Sequence, residues 1–129
     1  MNVLLDTHVI IWLLRDDPQL KPHAREVIQN ASGIAISEVS LWELSIKRSL
    51  GKLPQIPEMN DTLVKLGFQR LHIADLHLKT YETTPITHKD PFDRMLMSQA
   101  IAEGYALVTA DQKILETTIP GLNFVDARR

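Results

Sequence analysis

Apolar and polar positions follow two periods in turn along the 129 residues. Short apolar runs bounded by polar or chain-breaking residues predict strands at Val3-Leu4-Leu5, Ile34-Ala35-Ile36, Phe68 to Ile73, Tyr105 to Thr109 and Asn123-Phe124-Val125. Between them, helical spacing predicts helices over Thr7 to Leu14, about Pro22 to Asn30, Ser37 to Ser49, Glu58 to Leu66, Asp75 to Glu82, Pro91 to Glu103 and Gln112 to Glu116. Asp16-Asp17-Pro18, Gly51, Pro54, Pro57, Gly67, Pro85 and Gly104 punctuate these segments as turns and caps. Strands that alternate with helices predict an α/β fold, a three-layer sandwich with a central parallel sheet covered on both faces. There is no internal repeat or low-complexity tract, and residues 1–129 are expected to form a single domain with a sizeable core.

Composition narrows the class. A hydrophobic share of 44% and a charged share of 23% suit a globular domain with a core and a solvated face. No apolar run approaches the roughly 20 residues that cross a bilayer. Met1 to Asp6 lacks a basic leader and meets an acid too early for a signal peptide, so the expected compartment is the cytoplasm. The absence of cysteine excludes disulfides, thiolate metal sites and a cysteine nucleophile. A net charge of -2, from 14 basic and 16 acidic residues, neither announces nor excludes a nucleic-acid partner. Acids gathered around divalent cations lower the net charge while a basic rim still meets phosphates.

Four acids stand where chemistry is expected. In parallel sheets, ligands gather at the carboxyl ends of the strands. Asp6 directly follows Val3-Leu4-Leu5, and Asp111 follows Leu107-Val108-Thr109-Ala110. At 3.6 residues per turn, Val39, Trp42, Ile46 and Leu50 make a stripe expected to face the core, and Glu43 lies within it. Leu96, Met97, Ala100 and Gly104 likewise share a helix face with Asp93. A buried carboxylate must be neutralised, paired or metal-bound. Each acid also has a purely structural reading. Asp6 and Asp111 are at cap positions, Ser40-Leu41-Trp42-Glu43 fits a capping box, and Asp90-Pro91-Phe92-Asp93 fits one better, with Pro91 at the first helical position. Four such acids converging on strand ends and inner helix faces favour a site.

The stretches Leu4-Leu5-Asp6-Thr7-His8, Ser37 to Glu43, His88 to Leu96 and Leu107 to Asp111 resemble the PIN domain, and within it the VapC-type toxins of bacterial toxin–antitoxin pairs. The four stretches keep the family's order and spacing over nearly the whole chain. The resemblance places the family's metal-binding acids on Asp6, Glu43, Asp93 and Asp111, with Asp93 preferred to its neighbour Asp90 because the helix stripe turns it inward. It implies a ribonuclease, silenced by a cognate VapB-type antitoxin, that forms a homodimer.

Four carboxylates suit phosphodiester hydrolysis, because Mg²⁺ and Mn²⁺ prefer carboxylate and water oxygens. Such an ion lowers the pKa of an attacking water, and a second ion can stabilise the leaving oxygen. Asp6, Asp93 and Asp111 are the expected principal ligands; Glu43 is either a ligand or an orienting base acting through water. Thr7 and Thr109 lie beside the site as caps or as contacts to water and phosphate. Arg94, Lys47, Lys89 and Lys113, with Arg48 and Lys52 nearby, are candidates for the RNA backbone; as single residues each also reads as a solvated charge. His72 and His77 lack a partner pair at zinc-ligand spacing and are expected on the surface or at caps. His8 and His88 lie near the acids without a required role, and Trp12 is expected in the core or a dimer interface. The rival functions are a non-catalytic RNA- or protein-binding module, an aspartyl-phosphate phosphoryl-transfer domain and a DNA nuclease. Against the second, His8 stands where the dehalogenase pattern needs an acid.

Overall fold

A computed structural model describes residues 1–53 and 59–129 of the chain. Its elements are β1 (Asn2–Leu5), α1 (Thr7–Leu14), α2 (Pro22–Gln29), β2 (Gly33–Ser37), α3 (Glu38–Ser49), α4 (Met59–Lys65), β3 (Gln69–Leu71), α5 (Asp75–Thr83), α6 (Pro91–Glu103), β4 (Ala106–Thr109), α7 (Gln112–Leu115) and β5 (Asn123–Asp126). Each strand and helix predicted from periodicity within the described residues is present. The predicted breakers Pro54 and Pro57 and the predicted helix start at Glu58 lie outside them.

The five strands run parallel in the order β3-β2-β1-β4-β5. From the central β1 the chain first builds outward through β2 and β3. It then returns to the other side of β1 and builds outward again through β4 and β5. The sheet therefore reverses its winding between β1 and β4, and the crevice at their carboxyl ends is where such folds admit ligands. Asp6 and Asp111 are the residues that leave this edge. β3 is shorter than its apolar run suggests, because Gln69 and Arg70 are exposed at the sheet's edge and only three residues pair with β2.

Both faces of β1 are covered. Val3 and Leu5 join Val9, Ile10, Ile28, Leu44 and Val108 in one core, while Leu4 joins Leu96, Met97, Ala100, Leu107 and Ile114 in the other. The strand period of two sends successive side chains to opposite layers, and this divides the helices into α1 and α2 on one face, α6 and α7 on the other. α5 packs along α6. Asp90 starts α6 by accepting the Phe92 and Asp93 amides at 2.9 and 3.3 Å, and Gly104 ends it in the left-handed conformation at φ 71°.

α3 departs from its expected packing. Its buried face is Val39, Ser40 and Leu44, whereas Trp42 and Leu50 are both 62% exposed. The helix starts at the carboxyl edge of the sheet, with Val39 in one core and Leu44 in the other. The expected stripe is therefore split, with Val39 buried and Trp42 and Leu50 outside, and Trp42 lies on Phe92 with ring centroids 5.1 Å apart.

Leu4→Ala and Leu5→Ala each empty a site with no solvent exposure, in different cores. Each is expected to cost about 2–5 kcal/mol in urea unfolding with an unchanged denaturant slope. A loss below about 1 kcal/mol for either would contradict the two-core packing around β1.

Candidate active site at the carboxyl edge of the sheet

Asp6 is 5% exposed and has both oxygens occupied. Oδ1 accepts the Thr7 amide at 2.7 Å, and Oδ2 accepts the Thr109 hydroxyl at 2.7 Å. The same Thr109 oxygen accepts the Asp111 amide at 3.1 Å, so one hydroxyl ties the end of β4 to the end of β1. Asp111 also caps α7, accepting the Lys113 amide at 2.8 Å. Cap and candidate ligand thus coincide in the same side chain.

Glu43 reaches the site through Thr7. The Thr7 hydroxyl donates to Glu43 Oε1 at 2.7 Å and lies 3.0 Å from Ser40 Oγ. A hydroxyl has one proton, so with that proton on Glu43, Thr7 Oγ1 is left to accept from Ser40. The buried Ser40 and Thr7 therefore orient Glu43 although only part of its helix stripe faces the core. Lys47 Nζ lies 3.8 Å from Glu43 Oε2 and offsets part of its charge.

Asp93 projects from the first turn of α6 toward the other acids, with its side chain 15% exposed. Asp90 is exposed and engaged as the cap. Burial pushes the Asp93 carboxyl up to about 8, and repulsion from Asp6, Asp90, Asp111 and Glu43 adds to the shift. Burial also raises Asp6, against the opposing hydrogen bonds from Thr109 and Thr7. Together, these shifts mark a crevice that resists holding all its negative charge at once.

His88 completes the group. Its Nε2 lies 3.5 Å from Asp93 Oδ2 and 3.9 Å from Asp111 Oδ2. One potential ligand atom from each of His88, Asp93 and Asp111 fits within 4.8 Å of the others. Sequence spacing had left His88 without a role; its only signal was its place two residues before the Asp90 cap. A cavity of about 640 Å³ opens beside these residues and is also lined by Lys89, Lys113 and Glu116.

The other basic and imidazole groups fall elsewhere. Arg94 donates to the Tyr81 carbonyl at 2.8 Å and lies 4.3 Å from the Tyr81 ring centroid, clasping α5 to α6. His77 is buried and takes the expected capping role at the start of α5. It accepts the Ala74 amide at Nδ1 and meets Glu103 at 2.8 Å through Nε2. His72 is exposed and lies 3.1 Å from Glu38. Trp12 is partly buried against the first core.

A parallel five-stranded sheet flanked by helices, with carboxylates gathered at the carboxyl ends of its central strands, defines the class as an α/β domain with a candidate acidic site. Residues 3–119 match the PIN domain family, and the chain belongs to it. It is similar to Ribonuclease VapC22 of Mycobacterium tuberculosis, 27% identical over 121 residues that cover 88% of this chain and 89% of that protein. Two solved structures share the fold along 98% of both chains. VapBC2 from Rickettsia felis, bound to a DNA fragment from its promoter, gives a TM-score of 0.68 at 21% identity. DNA-bound VapBC from Salmonella typhimurium gives 0.66 at 23% identity. The likeness to VapC-type proteins read from the four motifs thus extends over 88% of the chain.

The raised Asp93 pKa has a definite sign for stability. Its carboxyl binds a proton more tightly folded than unfolded, so the empty protein loses stability as pH rises from 3.8 toward about 8. In EDTA, the melting temperature of Asp93→Asn relative to the unsubstituted protein is expected to climb across that window and then level. The final advantage should be at least about 3–5 °C, the shift that ~1 kcal/mol produces in a domain of this size. A difference that does not vary with pH would contradict the strain at Asp93.

Proposed function

We propose that this chain is a metal-dependent endoribonuclease, the toxin of a toxin–antitoxin pair acting in the cytoplasm. The observation that carries this reading is the convergence of Asp6, Glu43, Asp93 and Asp111 on the switch point of a PIN-domain sheet, with Asp93 held up near 8. The donor set fits Mg²⁺ or Mn²⁺. It is made of hard carboxylate oxygens, crowded enough to repel one another. When bound, such an ion offsets charge on the scissile phosphate and lowers the pKa of the attacking water.

The residues of the chain divide the remaining work. Asp6, Asp93 and Asp111 are the ligands, with Asp6 aimed by Thr109 and the Thr7 amide. Glu43, oriented by Thr7, holds the attacking water in line and accepts its proton. Lys89 and Lys113 line the cavity beside Asp93 and Asp111, where RNA phosphates fit, and Lys47 serves the same purpose beside Glu43. Arg94 holds α6 in place through Tyr81 and leaves phosphate contact to the lysines. An aspartyl phosphate on Asp6 is disfavoured, since His8 stands where the dehalogenase pattern needs a second acid.

The similar solved structures are VapBC assemblies, and one is described as a toxin–antitoxin complex from Klebsiella pneumoniae. A VapB-type antitoxin and a second copy of this chain are the partners this suggests. Exposed apolar side chains at Trp42, Val64, Leu66, Leu76 and Leu78 offer surface for them to bury.

Purified protein is expected to cut RNA with Mg²⁺ or Mn²⁺ and to stop in EDTA. Asp93→Asn should lower the rate by about 10²–10³-fold or more, while Asp90→Asn, which keeps a capping side chain, should keep most of it. Cleavage that survives both EDTA and Asp93→Asn would overturn the proposal. Loss of cleavage in Asp90→Asn but not in Asp93→Asn would reverse the ligand assignment.

A further inference from the structure

His88 is 8% exposed in its side chain, and its Nε2 is buried without a hydrogen-bond partner among the described residues. A buried polar atom left unpaired is destabilising and calls for an explanation. The Asp93 and Asp111 oxygens lie 3.5 and 3.9 Å from it, so the atom sits beside the carboxylate cluster.

The other ring nitrogen determines what Nε2 can do. His88 Nδ1 accepts the Asp90 backbone amide at 3.2 Å. A nitrogen that accepts has its lone pair free, so the proton of the neutral ring is on Nε2. His77 is an internal comparison. Its Nδ1 also accepts a backbone amide, from Ala74, and its Nε2 then meets the Glu103 carboxylate at 2.8 Å. In both imidazoles Nδ1 accepts an amide, which puts the proton on Nε2; in His77 that nitrogen bonds a carboxylate, while in His88 it lies 3.5 and 3.9 Å from two. Those two belong to the acids of the candidate active site.

We propose that His88 is a positioning residue that serves Asp93 and Asp111 as a shared hydrogen-bond donor, and is not itself a metal ligand. This rests on the reading of those acids as cation ligands. Spacing alone would admit His88, Asp93 and Asp111 as a three-residue cation site. The tautomer rules against that, because ligation through Nε2 requires the lone pair that the proton occupies. As a donor, His88 offsets part of the repulsion between the two acids and fixes the oxygens facing it. Their remaining oxygens then present a set geometry. The Asp90 amide thereby has two connected tasks. The Asp90 side chain starts the helix that carries Asp93, and its backbone sets the proton on the ring that steadies Asp93.

The test combines nitrogen NMR of histidine-labelled protein with calorimetric Mg²⁺ titration. In the metal-free protein, His88 Nε2 is expected to be the protonated nitrogen, and to remain so when Mg²⁺ is added. His88→Ala should weaken Mg²⁺ binding by about 10–100-fold, the usual loss when a group supporting ligands is removed. His88→Gln places an amide donor near the same point and should return affinity to within about 3-fold of the original, on the scale of that loss. A proton on Nδ1, or the loss of the Nε2 proton on adding Mg²⁺, would overturn the proposal. So would a His88→Gln variant as weak as His88→Ala. If the unsubstituted protein takes up no Mg²⁺ at all, the cation reading of the acids fails, whichever nitrogen carries the proton.

Discussion

Carboxylates crowded into a half-buried crevice repel one another, and much of this fold serves to hold them there. Burial and four neighbouring acids drive the Asp93 carboxyl up to about 8, so the protein groups alone leave the site short of positive charge. Around it stand the donors that make the crowding tolerable. Thr109 and the Thr7 amide serve Asp6, the Thr7 hydroxyl and Lys47 serve Glu43, and His88 faces Asp93 and Asp111. Backbone amides and neutral side chains provide most of this support. They orient the oxygens without cancelling their charge, as the proposed binding of a divalent cation requires.

Sheet topology explains why the acids meet at all. β1 and β4 are neighbours, yet about a hundred residues separate them in the chain, and their carboxyl ends carry Asp6 and Asp111 to adjoining points. α3 and α6 then bring Glu43 and Asp93 to the same edge from either side of the sheet. Such an arrangement depends on β1 being buried on both faces, since its alternating side chains tie the two helical layers into one body. The most buried acid, Asp6, is thus anchored to the most buried strand.

Much of this was legible in the sequence because it depends on local rules. Strand runs ended in acids, Asp90-Pro91 marked the start of α6, and the stripe of Leu96, Met97 and Ala100 does face the core beside Asp93. The stripe on α3 misled, because helical periodicity assumes one core on one side. α3 leaves the sheet edge between two cores, so Ser40 and Leu44 are buried while Trp42 is outside. Glu43 still points inward, held by Thr7 across a gap that no local pattern encodes. His88 and Arg94 were beyond sequence reasoning for the same reason. The approach of His88 Nε2 to Asp111 and the Tyr81 partner of Arg94 follow from tertiary contacts alone.

Asp6, Asp93 and Asp111 are proposed to form one cation site at the switch point of the sheet, with His88 beside it but not in it. The most direct measurement is the anomalous difference map of a crystal soaked in Mn²⁺. The account predicts a peak within bonding distance of carboxylate oxygens from those three acids, with His88 Nε2 outside the first coordination sphere. A peak ligated by His88 Nε2, or no peak at this edge while Mn²⁺ occupies a site elsewhere, would contradict it.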